Sequence, residues 1–404
     1  MKEIFPADLI ERIVKKTGTP VYIYSKEKIV GNLETYKSAF SGSSPLFCYA
    51  MKANSNGTIA SLLARNGAGA DVVSGGELYR ALKAGFKPHK IIFSGVGKTE
   101  DEMAFALRSG ILFVNVESFE ELEALERVAA RLKIKAPVSV RINPDVDPHT
   151  HKFIATGKLG TKFGVAVKEA GELYAFIKNS AHLYPSGIHF HLGSQISSPE
   201  PYAKALAVCS KFIRRLESCG VKLEYLDIGG GWGVKEGADM LSPVILAKTA
   251  RPAADELGLK LILEPGRSMV AAAGALAVKT LYRKKSGPRS YIITDGAMND
   301  LIRPAFYGAR HPVRPLIKRP GKTARFDITG PVCESGDFLA QGVILAEPSR
   351  GDILLILSAG AYGFSMSSQY NSRPRAAEVL ITGNNSWSLI RERETYQDLI
   401  EREK

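Results

Sequence analysis

The chain has 404 residues, of which 45% are hydrophobic and 24% charged, as expected for a folded protein with a substantial core. Its formal net charge is +13, but the basic residues are dispersed and form no nucleic-acid-binding motif. The N-terminus lacks the apolar segment of a signal peptide, and no apolar run is long enough to span a membrane. Four scattered cysteines without a CxxC pair argue against a disulfide framework. We expect a cytoplasmic enzyme without nucleic-acid or membrane partners.

In the first two thirds of the chain, short apolar runs alternate with longer amphipathic segments. The runs predict strands at 45–51, 70–73, 91–94, 112–116, 137–142, 185–190, 224–228 and 260–263. The runs are continuous rather than alternating, as in parallel strands that are covered on both faces. Eight strands separated by helices predict a TIM-like (β/α)8 barrel. A doubly wound open sheet is the alternative, but it usually carries a nucleotide fingerprint near its first turn, and none occurs here.

After residue 272 the pattern changes to strand-like runs with Gly, Pro and Asn between them, which predicts a C-terminal all-β domain. The runs lie at 275–282, 290–295, 324–329, 338–346, 352–357 and 377–382. Residues 21–24 have strand composition and are predicted to join this domain, and a last helix is expected near 393–402. The predicted domains are therefore a barrel at 27–272 and a β-rich domain made of 1–26 and 273–404.

Polar residues follow every predicted barrel strand. Because barrel active sites lie at the C-terminal ends of the strands, these side chains are expected to converge on one rim. They are Lys52, Asp71, Ser74, Ser94, Asn115, Glu117, Arg141, Asn143, His189, His191, Ser194, Asp227, the glycines Gly229, Gly230 and Gly231, Glu264, Gly266 and Arg267.

The stretch LFCYAMKAN raises the question of why an apolar strand ends in a lysine. Along the strand Leu46, Cys48, Ala50 and Lys52 share one face, which is predicted to point into the barrel. A desolvated lysine at this position suits a Schiff base with an aldehyde cofactor. The alternative is a lysine that simply reaches solvent from a strand end.

Two further motifs indicate anion and cofactor chemistry. Three glycines in LDIGGGWG let backbone amides approach an anion closely, although a flexible turn would have the same composition. In EPGR, the carboxylate of Glu264 and the guanidinium of Arg267 both follow the eighth predicted strand and are expected at the same rim. They could form a surface ion pair, or they could serve a pyridinium nitrogen and a carboxylate or phosphate.

The histidines leave a metal alternative open. His189 and His191 share a strand face at a spacing that can bind zinc, and His149 and His151 repeat this spacing. A metal-dependent barrel hydrolase is therefore one hypothesis. The other places one imidazole against a flat aromatic cofactor. The sequence assigns no role to His149 or His151.

Taken in order, the motifs resemble those of the fold-type III pyridoxal-phosphate decarboxylases. The resemblance covers almost the whole chain and is carried by YAMKAN, GADVVSGGEL, GIHFHLGSQI, DIGGGWG, EPGRS, DGAMNDLIRPAFYGARHP, GPVCESGDF and GAYGFSMSSQYNSRPR. It implies an alanine-racemase-like barrel with a β-rich second domain, and pyridoxal 5'-phosphate as cofactor without a metal. It also implies decarboxylation of meso-2,6-diaminopimelate to L-lysine and CO2, the last step of lysine biosynthesis, by a homodimer with shared active sites.

The resemblance assigns roles by motif. The residues implied in catalysis are Lys52, Cys333 and His191. The residues implied in cofactor binding are Lys52, Asp71, His191, Ser194, Gly229, Gly230, Gly231, Glu264, Gly266, Arg267 and Tyr362. The residues implied in substrate binding are Arg267, Arg303, Tyr307, Glu334 and Tyr362, with Cys333 and Glu334 supplied by the partner subunit. His189 is the less favoured of the two histidines for facing the ring.

Three alternatives remain beside the decarboxylase. The metal-dependent hydrolase is distinguishable by bound zinc. A pyridoxal-phosphate carrier without a reaction would have no use for the CESGD substrate clamp. An amino-acid racemase would favour an arginine in place of Glu264 at the pyridine nitrogen.

Overall fold

The computed structural model describes residues 3–147, 160–235, 238–239, 241–318 and 320–404. His149 and His151 lie outside the described residues. The chain divides into two compact units. The barrel unit comprises Asn32–Lys235 and Asp239–Ser268, and the β-rich unit comprises Met1–Gly31, Glu236–Ala238 and Met269–Lys404.

The strands are numbered in chain order. They are β1 (Val21–Ser25), β2 (Leu46–Ala50), β3 (Gly69–Val72), β4 (Ile91–Phe93), β5 (Phe113–Val116), β6 (Ala136–Asn143), β7 (Val165–Ala166), β8 (Leu183–His189), β9 (Tyr225–Asp227), β10 (Val234–Lys235), β11 (Ala238–Asp239), β12 (Lys260–Leu263), β13 (Gly274–Ser286), β14 (Arg289–Thr294), β15 (Val313–Pro315), β16 (Thr323–Thr329), β17 (Phe338–Ala346), β18 (Ile353–Leu357), β19 (Ala377–Ile381) and β20 (Trp387–Arg391).

The helices follow the same numbering. They are α1 (Ala7–Thr17), α2 (Lys26–Ala39), α3 (Gly57–Arg65), α4 (Gly75–Ala84), α5 (Glu100–Ser109), α6 (Phe119–Leu132), α7 (Val167–Asn179), α8 (Glu200–Ser218), α9 (Pro243–Leu257), α10 (Arg267–Val270), α11 (Arg303–Tyr307) and α12 (Tyr396–Ile400), with short 3-10 turns at Met51–Ala53, Pro88–Lys90, Phe364–Met366 and Tyr370–Ser372. None of the helices in the described parts of the chain is both long and apolar enough to cross a membrane.

The barrel is a closed parallel sheet. Its strands pair in the order β5-β4-β3-β2-β12-β9-β8-β6, and pairing of β5 with β6 closes the ring. The eight predicted strands are confirmed, and their ends differ from the structure by no more than two residues. Closure requires that side chains alternate between the interior and the surrounding helices.

The two faces of β2 follow the prediction. Cys48 packs with Ile92, Phe113 and Ile262 from other barrel strands, so this face points into the interior. On the opposite face Phe47 contacts aromatic rings near the end of α2, with its centroid 6.0 Å from that of Tyr36 and 5.7 Å from that of Phe40. The small-inside, large-outside pattern read from the sequence therefore holds for this strand.

Local sequence fixes where the barrel helices begin and end. The side chains of Ser74, Thr99 and Ser118 accept hydrogen bonds from the third residue of α4, α5 and α6, each cap stabilising its helix by about 1 kcal/mol. At the other ends, Gly85 and Gly110 adopt the left-handed conformation with φ of 90° and 67°, which costs a glycine little. These residues therefore fix the ends of the helices, and only short loops separate the helices from the neighbouring strands.

The β-rich unit is built on one mixed sheet. Its strands pair in the order β17-β16-β14-β13-β1-β19-β20, with β18 pairing β13 and β15. The N-terminal strand β1 lies between β13 and β19, as predicted for residues 21–24. Helix α1 covers one face, with Leu9, Ile10 and Ile13 fully buried. The predicted last helix is present but shorter, at α12.

Candidate active site

Lys52 lies on the 3-10 turn Met51–Ala53 directly after β2, rather than on the strand itself. Its Nζ is 3.2 Å from Asp71 Oδ2 at the end of β3, and the side chain of Lys52 is 37% exposed while that of Asp71 is fully buried. Burial and the nearby charge of Glu264 raise the pKa of Asp71, and Lys52 opposes them. The turn thus presents an accessible amine that a buried carboxyl group holds in place.

A buried cluster lies at the ends of β8, β9 and β12. His189, Asp227 and Glu264 are each at most 4% exposed, and their polar atoms lie within 4.8 Å of one another. His189 Nε2 is 3.3 Å from Glu264 Oε1. Burial acts to raise the pKa of Glu264, but His189 and then other donors hold it well below its usual range. Burial and then the charge of Glu264 raise the pKa of Asp227 well above its usual range.

His191 lies beside this cluster and is partly exposed. Its Nδ1 accepts a hydrogen bond of 3.1 Å from the Gly230 amide and lies 3.7 Å from Glu264 Oε2. Because Nδ1 accepts, the ring is neutral with its proton on Nε2. Burial lowers the pKa of His191 to about 4. A neutral imidazole with 19% of its side chain exposed is suited to stack on a flat ring.

The glycine loop after β9 is a place of close backbone approach. A Cβ on Gly230 would lie 2.1 Å from Glu264 O, and one on Gly231 would lie 1.9 Å from Gly193 O. The amides of Gly229 and Gly230 already donate to Asp227 Oδ1 and to His191. The loop therefore positions these two side chains, and a direct phosphate contact by all three glycine amides, as the sequence suggested, remains a prediction.

Ser194 and Arg267 lie together at the same rim. Arg267 Nη2 donates to Ser194 Oγ at 3.1 Å. The EPGR segment also packs on the end of β2 and on the lysine turn, since Ala50 N donates to Pro265 O at 3.2 Å and a Cβ on Gly266 would lie 3.0 Å from Ala50 Cβ and 3.3 Å from Ala53 Cβ. A hydroxyl and a guanidinium in contact form a donor pair for a phosphate group.

A second buried cluster centres on Glu117, at the end of β5. Its carboxylate lies 3.2 Å from Arg141 Nη1 and accepts the amides of Gly95 and Gly164, each at 3.0 Å. Burial alone would raise its pKa, but Arg141 and then Lys98 hold it below its usual value. Sequence analysis placed Glu117 and Arg141 at strand ends and gave them no role. Lys98 was missed because it lies in a loop, without the strand-end signal.

In the β-rich unit, Arg303 at the start of α11 contacts a histidine that sequence analysis did not select. His311 is buried, and its Nδ1 lies 2.9 Å from the carbonyl oxygen of Leu357. A carbonyl can only accept, so Nδ1 carries the proton and Nε2 accepts from Arg303 Nη1 at 3.0 Å. His311 thus orients the guanidinium. The motif GARHP contained this residue, but no pattern indicated its partner.

Cys333 and Glu334 lie on an exposed segment of the same unit. The Cys333 amide donates to Asn371 Oδ1 at 3.0 Å, and Tyr370 Oη donates to Glu334 Oε1 at 2.5 Å. The CESGD and QYNSRPR motifs are therefore in contact, although Glu334 and Tyr370 are 36 residues apart in sequence. Tyr370 is a further residue that sequence analysis missed.

The remaining predicted site residues of the β-rich unit are Tyr307 and Tyr362. Tyr307 ends α11, is partly buried, and packs edge-on against Phe306 with ring centroids 4.6 Å apart. Tyr362 is partly buried and has a positive φ of 55°, an uncommon backbone conformation for a residue with a side chain. Their contribution to a site remains a prediction.

The predicted zinc pair does not act as a pair in this geometry. His189 is buried with Asp227 and Glu264, whereas the Nδ1 of the partly exposed His191 accepts from the Gly230 amide. The donor set at the rim instead fits pyridoxal phosphate. Lys52 offers an accessible amine for an aldehyde, Glu264 a buried carboxylate for a ring nitrogen, and Ser194 with Arg267 a phosphate-binding pair.

A closed parallel barrel with this rim, joined in sequence to a β-rich domain, defines a pyridoxal-phosphate-dependent barrel enzyme. Residues 26–271 match the family described as the pyridoxal-binding domain of pyridoxal-dependent decarboxylases. The chain is 46% identical over 394 residues to diaminopimelate decarboxylase of Aquifex aeolicus, covering 97% of this chain and 93% of that protein. Identity to diaminopimelate decarboxylase of Pseudomonas aeruginosa is 47% over 393 residues, covering 96% and 94%.

The structural comparison agrees. The crystal structure of diaminopimelate decarboxylase from Helicobacter pylori complexed with L-lysine superimposes with a TM-score of 0.93 at 44% identity, covering 97% of this chain and 98% of that chain. The chain belongs to the diaminopimelate decarboxylases. It is thus a pyridoxal-phosphate-dependent decarboxylase, as the motifs predicted.

Proposed function

We propose that this protein decarboxylates meso-2,6-diaminopimelate to L-lysine and CO2, with pyridoxal phosphate held covalently by Lys52. The observation that carries the proposal is the rim itself. An accessible amine paired with Asp71 lies in the same barrel end as the buried, ionised Glu264. Relatives 44–47% identical bear the name of this activity, and one of them was crystallised with L-lysine.

Pyridoxal phosphate, when bound, supplies an electron sink for the pair left as the Cα–carboxylate bond breaks. Glu264 holds the proton on the ring nitrogen, and its low pKa suits a permanent anion. A neutral His191 would lie against the ring without adding a positive charge there. Ser194 and Arg267 bind the phosphate, with the glycine loop and Gly266 shaping the space around it.

The substrate side is assigned to the β-rich unit. Arg303, oriented by His311, binds the carboxylate at the non-reacting end as a planar fork, and Tyr307 assists. Glu334 binds the ammonium at that same end. Its motif assigns Tyr362 to the cofactor. The distal end of diaminopimelate carries both a carboxylate and an ammonium, so its binding site needs a positive and a negative side chain. A substrate that ends in a single ammonium would have no group for Arg303 to bind.

The active enzyme is a homodimer in this proposal. Cys333 and Glu334 are exposed on their own chain, which suits residues that complete the site of the other protomer. Cys333 or Lys52 returns the proton to Cα after CO2 leaves. Residues 27–272 form the cofactor-binding domain, and 1–26 with 273–404 supply substrate and interface residues. Four free cysteines suit the reducing cytoplasm.

The test is product analysis by mass spectrometry. Purified protein with pyridoxal phosphate is incubated with an equal mixture of meso-diaminopimelate, ornithine, lysine and arginine. New lysine, loss of diaminopimelate and no diamine are the expected result. Putrescine, cadaverine or agmatine would show the same chemistry on another substrate and overturn the specificity.

Lys52→Ala is the control for the cofactor. This variant is expected to lose both product formation and the visible absorbance of the lysine-bound cofactor. Arg65→Ala, which changes an exposed cation on α3, is the matched variant that keeps both. Retained covalent absorbance in Lys52→Ala would contradict the assignment of the lysine. If wild-type protein gave no product, metal analysis would test the hydrolase alternative.

A further inference from the structure

The carboxylate of Glu264 is buried next to a histidine that the reaction does not otherwise use. His189 is 1% exposed, and its Nε2 lies 3.3 Å from Glu264 Oε1. Among the described residues, neither ring nitrogen of His189 nor Glu264 Oε1 has an aligned hydrogen-bond partner. A buried polar ring with no other partner than this carboxylate is costly unless the contact is used.

His191 cannot take this part, although it also lies near Glu264. Its Nδ1, the atom 3.7 Å from Glu264 Oε2, is occupied in accepting the Gly230 amide. An accepting nitrogen carries no proton and cannot donate to the carboxylate. Of the two histidines, only His189 can therefore donate to Glu264 through the nitrogen that faces it.

Asp227 does not replace His189 either. It is paired in register with His189 across β8 and β9, and its Oδ1 accepts the Gly229 amide at 2.9 Å. A second carboxylate beside Glu264 repels its charge, and burial together with that repulsion raises the pKa of Asp227. Asp227 therefore brings neither a positive charge nor an N–H donor to Glu264.

We infer that His189 is a positioning residue that acts through Glu264. Its buried Nε2 lies 3.3 Å from Glu264 Oε1, within reach to donate to that oxygen in the loaded enzyme, and so would fix the direction of the carboxylate that receives the ring nitrogen of pyridoxal phosphate. This inference rests on the proposed placement of the ring nitrogen at Glu264. It gives the two histidines of the GIHFHLGSQI motif different roles. His189 positions Glu264, and His191 is the histidine proposed to face the cofactor ring.

The test compares two amide substitutions in substrate-free protein. Glutamine places its amide nitrogen near the position of histidine Nε2, whereas asparagine is too short to reach it. The dissociation constant of pyridoxal phosphate is measured by titrating the apoprotein and following its fluorescence and visible absorbance. His189→Asn is expected to weaken binding about tenfold, the equivalent of losing about 1.4 kcal/mol from a hydrogen bond to a charged group. His189→Gln is expected to retain most of the affinity.

A double-mutant cycle separates this role from a merely structural one. In a Glu264→Gln background, His189→Asn is expected to change the dissociation constant less than about twofold, because its partner is already altered. Ser186→Ala, another buried polar residue on β8, is the matched control and is expected to leave affinity unchanged.

Two results would overturn the inference. One is an equal loss for His189→Asn in both backgrounds, and the other is an equal loss for His189→Asn and His189→Gln. A wild-type affinity and spectrum in Glu264→Gln alone would instead contradict the proposed placement of the ring. If His189→Asn does not fold, His189→Ala with and without Glu264→Gln gives the same comparison, because alanine also lacks the donor.

Discussion

The variant Lys98→Met measures how much a buried ion pair of the barrel unit contributes to the free energy of unfolding. Lys98 is 1% exposed and Glu121 8% exposed, and their Nζ and Oε1 lie 2.6 Å apart. The same ammonium donates to the carbonyl oxygens of Gly95 at 2.5 Å and Asn115 at 2.7 Å. Methionine fills the volume but leaves the buried carboxylate unpaired, close to that of Glu117. Breaking a buried pair by removing one partner costs about 3–5 kcal/mol of unfolding free energy.

The loss depends on pH in a direction that the structure fixes. Burial raises the pKa of Glu121 and Lys98 opposes this, so the pKa rises further in the variant. The native state then holds a proton that the unfolded state releases, and stability falls as pH rises through that pKa. The deficit of Lys98→Met is therefore greatest near neutral pH and shrinks toward about pH 5.

Urea unfolding of the apoprotein at equal protein concentration measures the effect. Lys204→Met is the matched control, since Lys204 pairs with Glu200 on the exposed face of α8 and contributes under about 0.5 kcal/mol. Lys98→Met with Glu121→Gln should recover part of the loss, because the uncompensated charge is gone. A loss under about 1 kcal/mol, or no recovery in the double variant, would refute the reasoning.

Three further outcomes follow from the geometry. Gly230→Ala places a Cβ 2.1 Å from Glu264 O and should lower the free energy of unfolding and that of cofactor binding by about 1–3 kcal/mol each, as measured by urea unfolding and cofactor titration. Gly57→Ala, with open space at its Cβ, should change neither. His311→Phe removes the acceptor of Arg303 and should raise KM for diaminopimelate about tenfold at nearly constant kcat in steady-state assays; a lowered kcat at unchanged KM would contradict the orienting role. Because the pKa of His191 is lowered to about 4, the native state binds fewer protons than the unfolded state below about pH 6.5, and stability should fall as pH drops. His191→Asn should flatten that slope in pH-dependent unfolding, and an unchanged slope would argue against a neutral ring.

The sequence was sufficient for the barrel and for the side chains at its rim. Continuous apolar runs identified all eight strands, and period-two alternation placed Cys48 inside and Phe47 outside. Lys52, Asp71 and Glu264 were placed at the C-terminal strand ends by their positions in or directly after the apolar runs, although Lys52 lies on the turn after β2 rather than on the strand. These features depend on local patterns and on the rule that parallel strands in a barrel end at one rim. The ordered motifs then supplied the family.

The contacts between these residues could not be read from spacing. His189 and His191 are two residues apart and were expected on one face, yet His189 is buried beside Glu264 and His191 accepts from the Gly230 amide. The difference arises because β8 ends at His189, so the strand alternation does not extend to His191. The pairing of Arg303 with His311 likewise depends on the carbonyl of Leu357, which lies 46 residues away in sequence.

Three carboxyl groups share the buried end of the barrel, and what each one contacts decides its charge. Asp71 lies against the ammonium of Lys52, which limits the rise in its pKa. Asp227 accepts the Gly229 amide and lies near Glu264, and burial with that second charge raises its pKa well above its usual range. Glu264 lies against His189 and keeps its charge. Three adjacent buried anions would repel one another strongly at low dielectric. The chain avoids this cost by placing its imidazole at Glu264, which leaves a lasting negative charge at the one carboxylate proposed to face the cofactor ring.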